Sequence, residues 1–328
     1  MSTKIKRIVA VLNSFDLAPT ILEKTLSFAK RYDSIVEVIY IHEKPLFDIP
    51  DFFISAEKRG DDLLDKDRVK DEIKNLILSL EHKEDIATFV YINDTEDRVA
   101  NLIKDDKDSL IITAYHEKIT NKLLKKVANP TLVLKNQSKI YNNIAICINA
   151  SSDVKECINS AKYLYSECTI SLLYDYKFIV DPSMELDLQN IADIEKLQRD
   201  QFSDIKKRNN LDGEFFVDGS FLADNLINHI KEKDFDLVID CLDDGSLLAK
   251  EISNDIFFTG ENMNKYKEKL EKLSDMLSNS KEISQEEKAQ AVKHIQEWYE
   301  EDRGMDLLAE QLASISSKIT PILREIGL

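Results

Sequence analysis

Short apolar runs alternate with amphipathic stretches along most of the chain. Ile8-Val9-Ala10-Val11-Leu12 is a continuous apolar run and predicts a buried strand. From Ala18 to Tyr32, the residues Ile21, Leu22, Leu26 and Ala29 recur at helical spacing. Ile35 to Ile41 is β-branched and strand-like. A long charged segment, Ile54 to His82, reads as mostly helical, with Ile73, Leu76, Ile77 and Leu80 on one face. Strand Ala87–Ile92, helix Glu96–Ile103, strand Leu110–Thr113, a short helix Lys118–Val127 and strand Thr131–Leu134 follow. Strands alternating with helices predict βαβ units on a parallel sheet, and right-handed crossovers then place helices on both faces.

The same order begins again after a boundary near Lys135 to Asn143. The predicted elements are strand Ile144–Ile148, helix Asp153–Tyr165, strand Thr169–Tyr174, a long helix Met184–Arg208 and strand Glu214–Val217. Helix Ser220–Lys231, strand Leu237–Asp240, helix Ser246–Ile252 and strand Ile256–Phe258 complete the second run. Asp108-Ser109-Leu110-Ile111-Ile112 is echoed by Phe235-Asp236-Leu237-Val238-Ile239, and Leu123-Leu124-Lys125-Lys126 by Leu247-Leu248-Ala249-Lys250. We read a tandem duplication: an α/β chain of two doubly wound parallel-sheet domains, 1–138 and 139–260. Residues 261–328 form an α-helical C-terminal segment without strand signals. There, Ser284-Gln285-Glu286-Glu287 has capping-box spacing. A last stripe of Leu308, Leu312, Ile315, Ile319 and Leu323 follows roughly 3.5-residue spacing. It serves either packing within the chain or the capture of a partner.

Composition narrows the chemistry. The chain has 328 residues but 7 glycines, about 2 % against about 7 % in ordinary proteins. No three form G-x-G-x-x-G and no pair frames a Walker loop, so a familiar NTPase or Rossmann dehydrogenase is excluded. The net charge is −17. That balance repels nucleic acid and anionic membranes, and no strong basic patch offsets it. No stretch approaches the 18 or so apolar residues of a membrane span, and the N-terminal apolar run is too short for a signal-peptide core. Cys147, Cys157, Cys168 and Cys241 contain no C-x-x-C pair. They are expected to be reduced, buried thiols of a cytoplasmic protein.

The strand–helix order, its repetition and several local stretches resemble the universal stress protein family. The resemblance covers residues 4 to 260. Val9-Ala10-Val11-Leu12-Asn13-Ser14 and Ile146-Cys147-Ile148-Asn149-Ala150-Ser151 sit where the family commonly has I-A-V-D-G-S. Leu123 to Leu134, with Pro130 before the last strand, resembles the family's V-L-x-x-A-x-x-P-V-L-V. The resemblance implies a bacterial stress-response setting, a five-stranded parallel sheet per domain and dimer-like pairing through fifth-strand edges. It also marks two departures. The aspartate that contacts the nucleoside in ATP-binding members is replaced by Leu12 and Asn149. The first two glycines of the phosphate loop G-x2-G-x9-G-[ST] are replaced by Ala114 and Glu117 in one copy and by Cys241 and Asp244 in the other. Neither copy is therefore expected to bind ATP in the family manner, and no cofactor is expected.

Sites in doubly wound sheets lie beyond the strand carboxyl ends. The candidate ligand-binding residues are Asn13, Ser14, His42, Tyr115 and His116 in the first copy, and Asn149, Ser151 and Asp240 in the second. His42, His116 and Asp94 carry ligand types suited to zinc, and Ser14 with His116 could pair as nucleophile and base. No spacing identifies either arrangement, and neither a metal site nor a catalytic residue is assigned. Asp240, Asp243 and Asp244 cluster after the fourth strand of the second copy, and one of them reads as the cap of the next helix, with a divalent-cation site as the alternative. The acidic run Asp61, Asp62, Asp65 and Asp67 reads as a solvated helix face. The expected protein is non-enzymatic: a stress-response or regulatory protein that works through protein partners, by self-association through the fifth-strand edges or the C-terminal helices. The alternative is a small-molecule or nucleotide binder with a rewired pocket at the strand ends.

Overall fold

The apolar runs and helical stripes resolve, in a computed structural model, into two units, Met1–Lys139 and Ile140–Leu328. The structure describes residues 5–42, 65–80, 86–92, 96–103, 108–116, 126–135, 141–150, 152–177, 188–218, 223–242, 245–259, 272–280 and 283–300, with single positions or short runs at 106, 120, 123–124, 312, 314–316, 318–319 and 322–323. The expected helical stretches 54–64 and 184–187, the expected helix start at Ser220, and Leu308 lie outside the described residues.

In the first unit β1 (Arg7–Leu12), α1 (Ala18–Tyr32), β2 (Ile35–His42), α2 (Lys66–Ser79), β3 (Ala87–Ile92), α3 (Glu96–Ile103), β4 (Ser109–Ala114) and β5 (Thr131–Leu134) follow one another. The strands lie in the order β3-β2-β1-β4-β5, and every neighbouring pair is parallel. Parallel strands covered on both faces need apolar residues at every position rather than at alternate ones. Residues Ile8 to Leu12 of β1 meet that condition, each with no exposed surface. Register places Val11 between Ile39 and Thr113. Val9, Val11, Ile39, Ile41 and Ile111 share one face, packed under Val99, Ala100 and Ile103 of α3 and under Leu123 and Val127. Ile8, Ala10 and Leu12 point to the opposite face, where α1 packs on β1 through Ile21, Leu22, Phe28 and Ala29.

Helix entry is local chemistry. The carboxylate of Asp65 accepts the Asp67 amide at 3.0 Å and caps α2. Asp65 is exposed, as expected of the acidic run, and it also caps the helix. At the amino end of the sheet, Arg7 pairs with Glu37 and, at 3.2 Å, with Asp106. Burial alone pushes the Asp106 carboxyl up. Hydrogen bonds from Ser109, Arg7 and the Asp108 amide, with the charge of Arg7, outweigh burial and hold it below the usual carboxylate value.

The second unit continues with β6 (Asn143–Ile148), α4 (Val154–Leu164), β7 (Thr169–Lys177), α5 (Leu188–Asn209), β8 (Asp212–Asp218), α6 (Asp224–Glu232), β9 (Leu237–Asp240), α7 (Gly245–Glu251) and β10 (Asp255–Phe258). Its strand order, β8-β7-β6-β9-β10, is again all parallel and repeats that of the first unit position for position. A shared detail accompanies the order. The Asn129 amide donates to the carbonyl of Asp106 at 2.6 Å, and the Asn254 amide donates to the carbonyl of Phe235 at 2.5 Å. Each asparagine precedes the fifth strand of its unit and ties it to the chain entering the fourth. β7 is three residues longer than its apolar run predicts. Asp175, Tyr176 and Lys177 stay extended because β8 pairs with them, opposite Phe216, Val217 and Asp218. α6 starts at Asp224, after Ala223 in the left-handed region (φ 48°).

The C-terminal segment has a core of its own. Leu273, Leu277, Ile283, Ala291, Ile295, Leu312, Ile319 and Leu323 form one buried cluster, drawn from helical residues 272–279, from α8 (Gln285–Glu300) and from the last stripe. The capping box forms as expected. Glu287 accepts the Ser284 amide at 2.8 Å, and the Ser284 hydroxyl accepts the Glu287 amide at 3.3 Å. Among the described residues no helix is long and apolar enough to cross a membrane.

Two outcomes test this packing. A Cβ on Gly213 would lie 2.9 Å from the Leu172 Cβ, with the Leu172 carbonyl oxygen nearer still. Gly213→Ala is expected to cost about 1–3 kcal/mol in urea unfolding, as for other overpacked sites. Asp106 has a lowered folded pKa, so its contribution is present above the ordinary value of 3.8 and is lost as pH falls through the lower folded value. Asp106→Asn should lower the melting temperature at pH 7. The gap from wild type should narrow as pH falls below 3.8 and close once it passes the lowered folded value.

Candidate functional site

The candidate residues of the first unit leave the carboxyl ends of its strands. Asn13 and Ser14 follow β1, His42 ends β2, and Tyr115 and His116 follow β4. Leu12, which the resemblance set at the family's aspartate, is the fully buried last residue of β1. Strand register matches it to Ile148 and matches Asn13 to Asn149, because Ile8 pairs with Leu110 as Ile144 pairs with Leu237. Beside Leu12, Phe15 stacks on Tyr40 with ring centres 5.3 Å apart. Burial, and after it the charge of Glu72, pushes the Tyr40 hydroxyl up. Tyr115 and His116 bond into their own strand-end segment. The Tyr115 amide donates to the Leu134 carbonyl at 2.8 Å, and the Lys135 ammonium sits 4.1 Å from the centre of the Tyr115 ring. The His116 amide donates to the Thr120 hydroxyl at 2.8 Å, and that hydroxyl lies 3.3 Å from the Ala114 carbonyl. The backbone after β4 is thus turned in on itself. Asn93 and Asp94 lie outside the described residues.

In the second unit the exits of β6 and β9 are laced together. The Asn149 amide donates to the Ser152 hydroxyl at 2.9 Å. That hydroxyl in turn donates to the Cys241 carbonyl at 2.6 Å, with the Asn149 side-chain oxygen 2.9 Å away as the alternative acceptor. The Cys241 amide donates to the Cys147 carbonyl at 3.0 Å. The Leu242 amide donates to the Asp240 carboxylate at 2.9 Å. Asp240 therefore closes a two-residue turn on its own strand and does not cap α7. Asp243, Asp244 and Ser151 lie outside the described residues.

The cysteines correct the sequence expectation. Cys157, in α4, and Cys241, after β9, form a disulfide across 84 residues, with Cα atoms 6.5 Å apart. Cys147 and Cys168 are free. Pairing needs Cα atoms within about 7 Å, a distance set by the packing of α4 on the sheet. A spacing of 84 in the sequence carries no sign of it.

The structure also gathers carboxylates that the sequence reading did not single out. Asp175 and Asp218 end their apolar runs on β7 and β8, and with Asp240 all three are 1–2 % exposed. Register sets Asp240 opposite Cys147, and Cys147 opposite Leu173, two residues before Asp175. Alternation along each strand therefore turns Asp240, Cys147 and Asp175 to one face. Burial, then the charges of Asp240 and Asp175, pushes the Cys147 thiol well up. Asp218 accepts the Asn225 amide at 2.9 Å, and its second oxygen is buried without a hydrogen bond. The signal available in the sequence was a polar residue closing an apolar run, which also describes any strand end. Among the described residues no group of three or more His, Cys, Asp or Glu side chains is placed to hold a metal ion.

No protein-family model matches the chain, and no curated protein matches it. Solved structures do match. A protein of unknown function from Pseudomonas aeruginosa PAO1 superposes with a TM-score of 0.55 at 12 % identity, over 80 % of this chain and 96 % of its own. A protein of Pseudomonas aeruginosa UCBPP-PA14 described as a universal stress protein gives 0.54 at 13 %, over 80 % and 97 %. A universal stress protein of Archaeoglobus fulgidus DSM 4304 gives 0.50 at 9 %, over 79 % and 99 %. The fold is universal-stress-protein-like, an α/β architecture with a helical C-terminal segment.

Ser152 tests the lacing at the β6 and β9 exits. Ser152→Ala removes one acceptor for the Asn149 amide and one donor to the Cys241 carbonyl. It should cost about 1–2 kcal/mol in urea unfolding. Hydrogen exchange of the Asn149 amide should quicken, and exchange in the core of β6 should not.

Proposed function

We propose that the chain is a non-enzymatic stress-response or regulatory protein of the universal-stress type, made of two tandem copies whose nucleotide sites have closed. The carrying observation is the engagement of the backbone at the second copy's strand exits. Phosphate loops work by offering free amides to phosphate oxygens. Here the amides of Cys241 and Leu242 are already bonded to the Cys147 carbonyl and the Asp240 carboxylate. Phosphate would also meet the negative charge of buried Asp240. In the first copy, the His116 amide is taken by the Thr120 hydroxyl.

With those sites closed, function rests on protein contacts, through the fifth strands Thr131–Leu134 and Asp255–Phe258 or through the C-terminal helices, in a cytoplasmic setting. A second reading, a small-molecule binder with a rewired pocket, is favoured by the buried carboxylates Asp175, Asp218 and Asp240, which suit a cationic ligand better than a nucleotide.

Isothermal titration of the full chain with ATP and AMP, each with and without Mg²⁺, is expected to give no heat of binding. Micromolar affinity that Asn149→Ala or Asp240→Ala abolishes would overturn the closed-site reading. Thermal stabilisation by a cationic metabolite, lost in Asp175→Asn, would favour the second reading instead, because a ligand that binds only the folded state raises its stability.

A further inference from the structure

Three cysteines converge on one end of the second sheet. Cys147 lies in β6, Cys241 follows β9 in the turn bonded to it, and Cys157 lies on α4, the helix that leaves β6. Two of them are joined. The joined pair bridges the turn closing the β9 exit, Asp240–Leu242, to the helix beside it. That turn also receives the Ser152 hydrogen bond at the Cys241 carbonyl. Cys157 is 3 % exposed and Cys241 is fully buried, so a reagent in solution reaches either sulfur only when the turn opens.

We propose that Cys157 and Cys241 are a thiol–disulfide modification site that couples the redox state of low-molecular-mass thiols to opening of the β6 and β9 exits. In the oxidising direction, one cysteine thiolate attacks a small-molecule disulfide, such as glutathione disulfide, and expels one thiol. A mixed disulfide remains on the protein. The second cysteine thiolate then attacks the protein sulfur of that mixed disulfide, forms the Cys157–Cys241 bond and expels the second thiol. Two protein thiols are oxidised and one small disulfide is reduced to two thiols, which take up the two protons. A dithiol reductant runs the exchange backwards. The thiolate is the attacking species. The pairing of Cys157 with Cys241 is set by position, their Cα atoms lying 6.5 Å apart, while burial and the neighbouring Asp240 and Asp175 push the Cys147 thiol well up. Cys168 stands apart, its thiol donating to the Tyr165 carbonyl at 2.8 Å.

This goes beyond the reading of the nucleotide sites and is tested separately from it. Full-length protein purified without reductant is denatured, alkylated and mapped by mass spectrometry. Two labelled cysteines, Cys147 and Cys168, are expected, and four after dithiothreitol. Re-exposure to glutathione disulfide should restore the two-label pattern. Native-state hydrogen exchange supplies the functional readout. Reduction should speed exchange of the Cys241 and Leu242 amides at least tenfold, glutathione disulfide should reverse the change, and the strand cores should keep their protection. The melting temperature should fall by roughly 9–18 °C on reduction, as expected for loss of a disulfide closing an 84-residue span in a unit of this size. Cys157→Ser should behave as the reduced protein does. If that variant does not fold, the reduced and oxidised wild type decide alone. Four labelled cysteines after glutathione disulfide overturn the proposal. So does exchange at Cys241 and Leu242 that reduction leaves unchanged, since the bond would then be a passive staple. Global unfolding on reduction overturns it too.

Discussion

A strand in the middle of a parallel sheet has no face left for water, and the rest of this structure follows from that constraint. β1 and β6 are the central strands of their units, and both are apolar almost without interruption. Helices must cover both faces of such a sheet, so each unit alternates strand with helix and winds outward in two directions. Polar chemistry is then confined to the strand ends, where the backbone leaves the sheet. At the amino ends, Arg7 pairs with Glu37 and Asp106, and the side chains of Asn129 and Asn254 satisfy backbone carbonyls of the entering chain.

The carboxyl ends differ between the units in a way that bears on function. In the first unit Val11 lies between Ile39 and Thr113, in a cluster that includes Ile41 and is closed by α3. The corresponding register in the second unit sets Cys147 between Leu173 and Asp240, with Asp175 two residues along β7. The first unit sets aliphatic groups and Thr113 there, and the second sets carboxylates. Buried carboxylates are costly unless paired, hydrogen-bonded or protonated. Their presence at this end, beside a turn held by a disulfide, separates the two units chemically while their strand order is the same.

The C-terminal segment obeys a different rule. It contains no strand among the described residues, and its helices bury their stripes against one another. The capping box at Ser284 and Glu287 sets where α8 begins. The 3.5-residue stripe at the chain's end supplies Leu312, Ile319 and Leu323 to that same core.

Most of the architecture was legible in the sequence, because the signals are local. Continuous apolar runs marked the strands, 3.6-residue stripes marked the helices, and Ser284 with Glu287 marked a cap. Repetition of the element order marked the second unit. The strand order β3-β2-β1-β4-β5 was not legible, since periodicity does not say which strands become neighbours. The candidate site was legible in part. Asn149 and Asp240 sit at the laced exits of β6 and β9, but the sequence offered Asp240 only as one of three acidic residues of which one caps a helix, and gave no hint of Ser152 as the bridging group. It placed the acidic Asp65 on a solvated face, where it is indeed exposed, and missed that it also caps α2. It took all four cysteines as free thiols. Composition, element type and the absence of glycine at Ala114, Glu117, Cys241 and Asp244 belong to the sequence alone, because each is read from residues within a few positions of one another. The Cys157–Cys241 bond, the shared face of Asp175, Cys147 and Asp240, and the closing of the β9 turn were decided by tertiary structure. Each depends on register between strands or on the seating of a helix, and both bring together residues that the chain holds far apart.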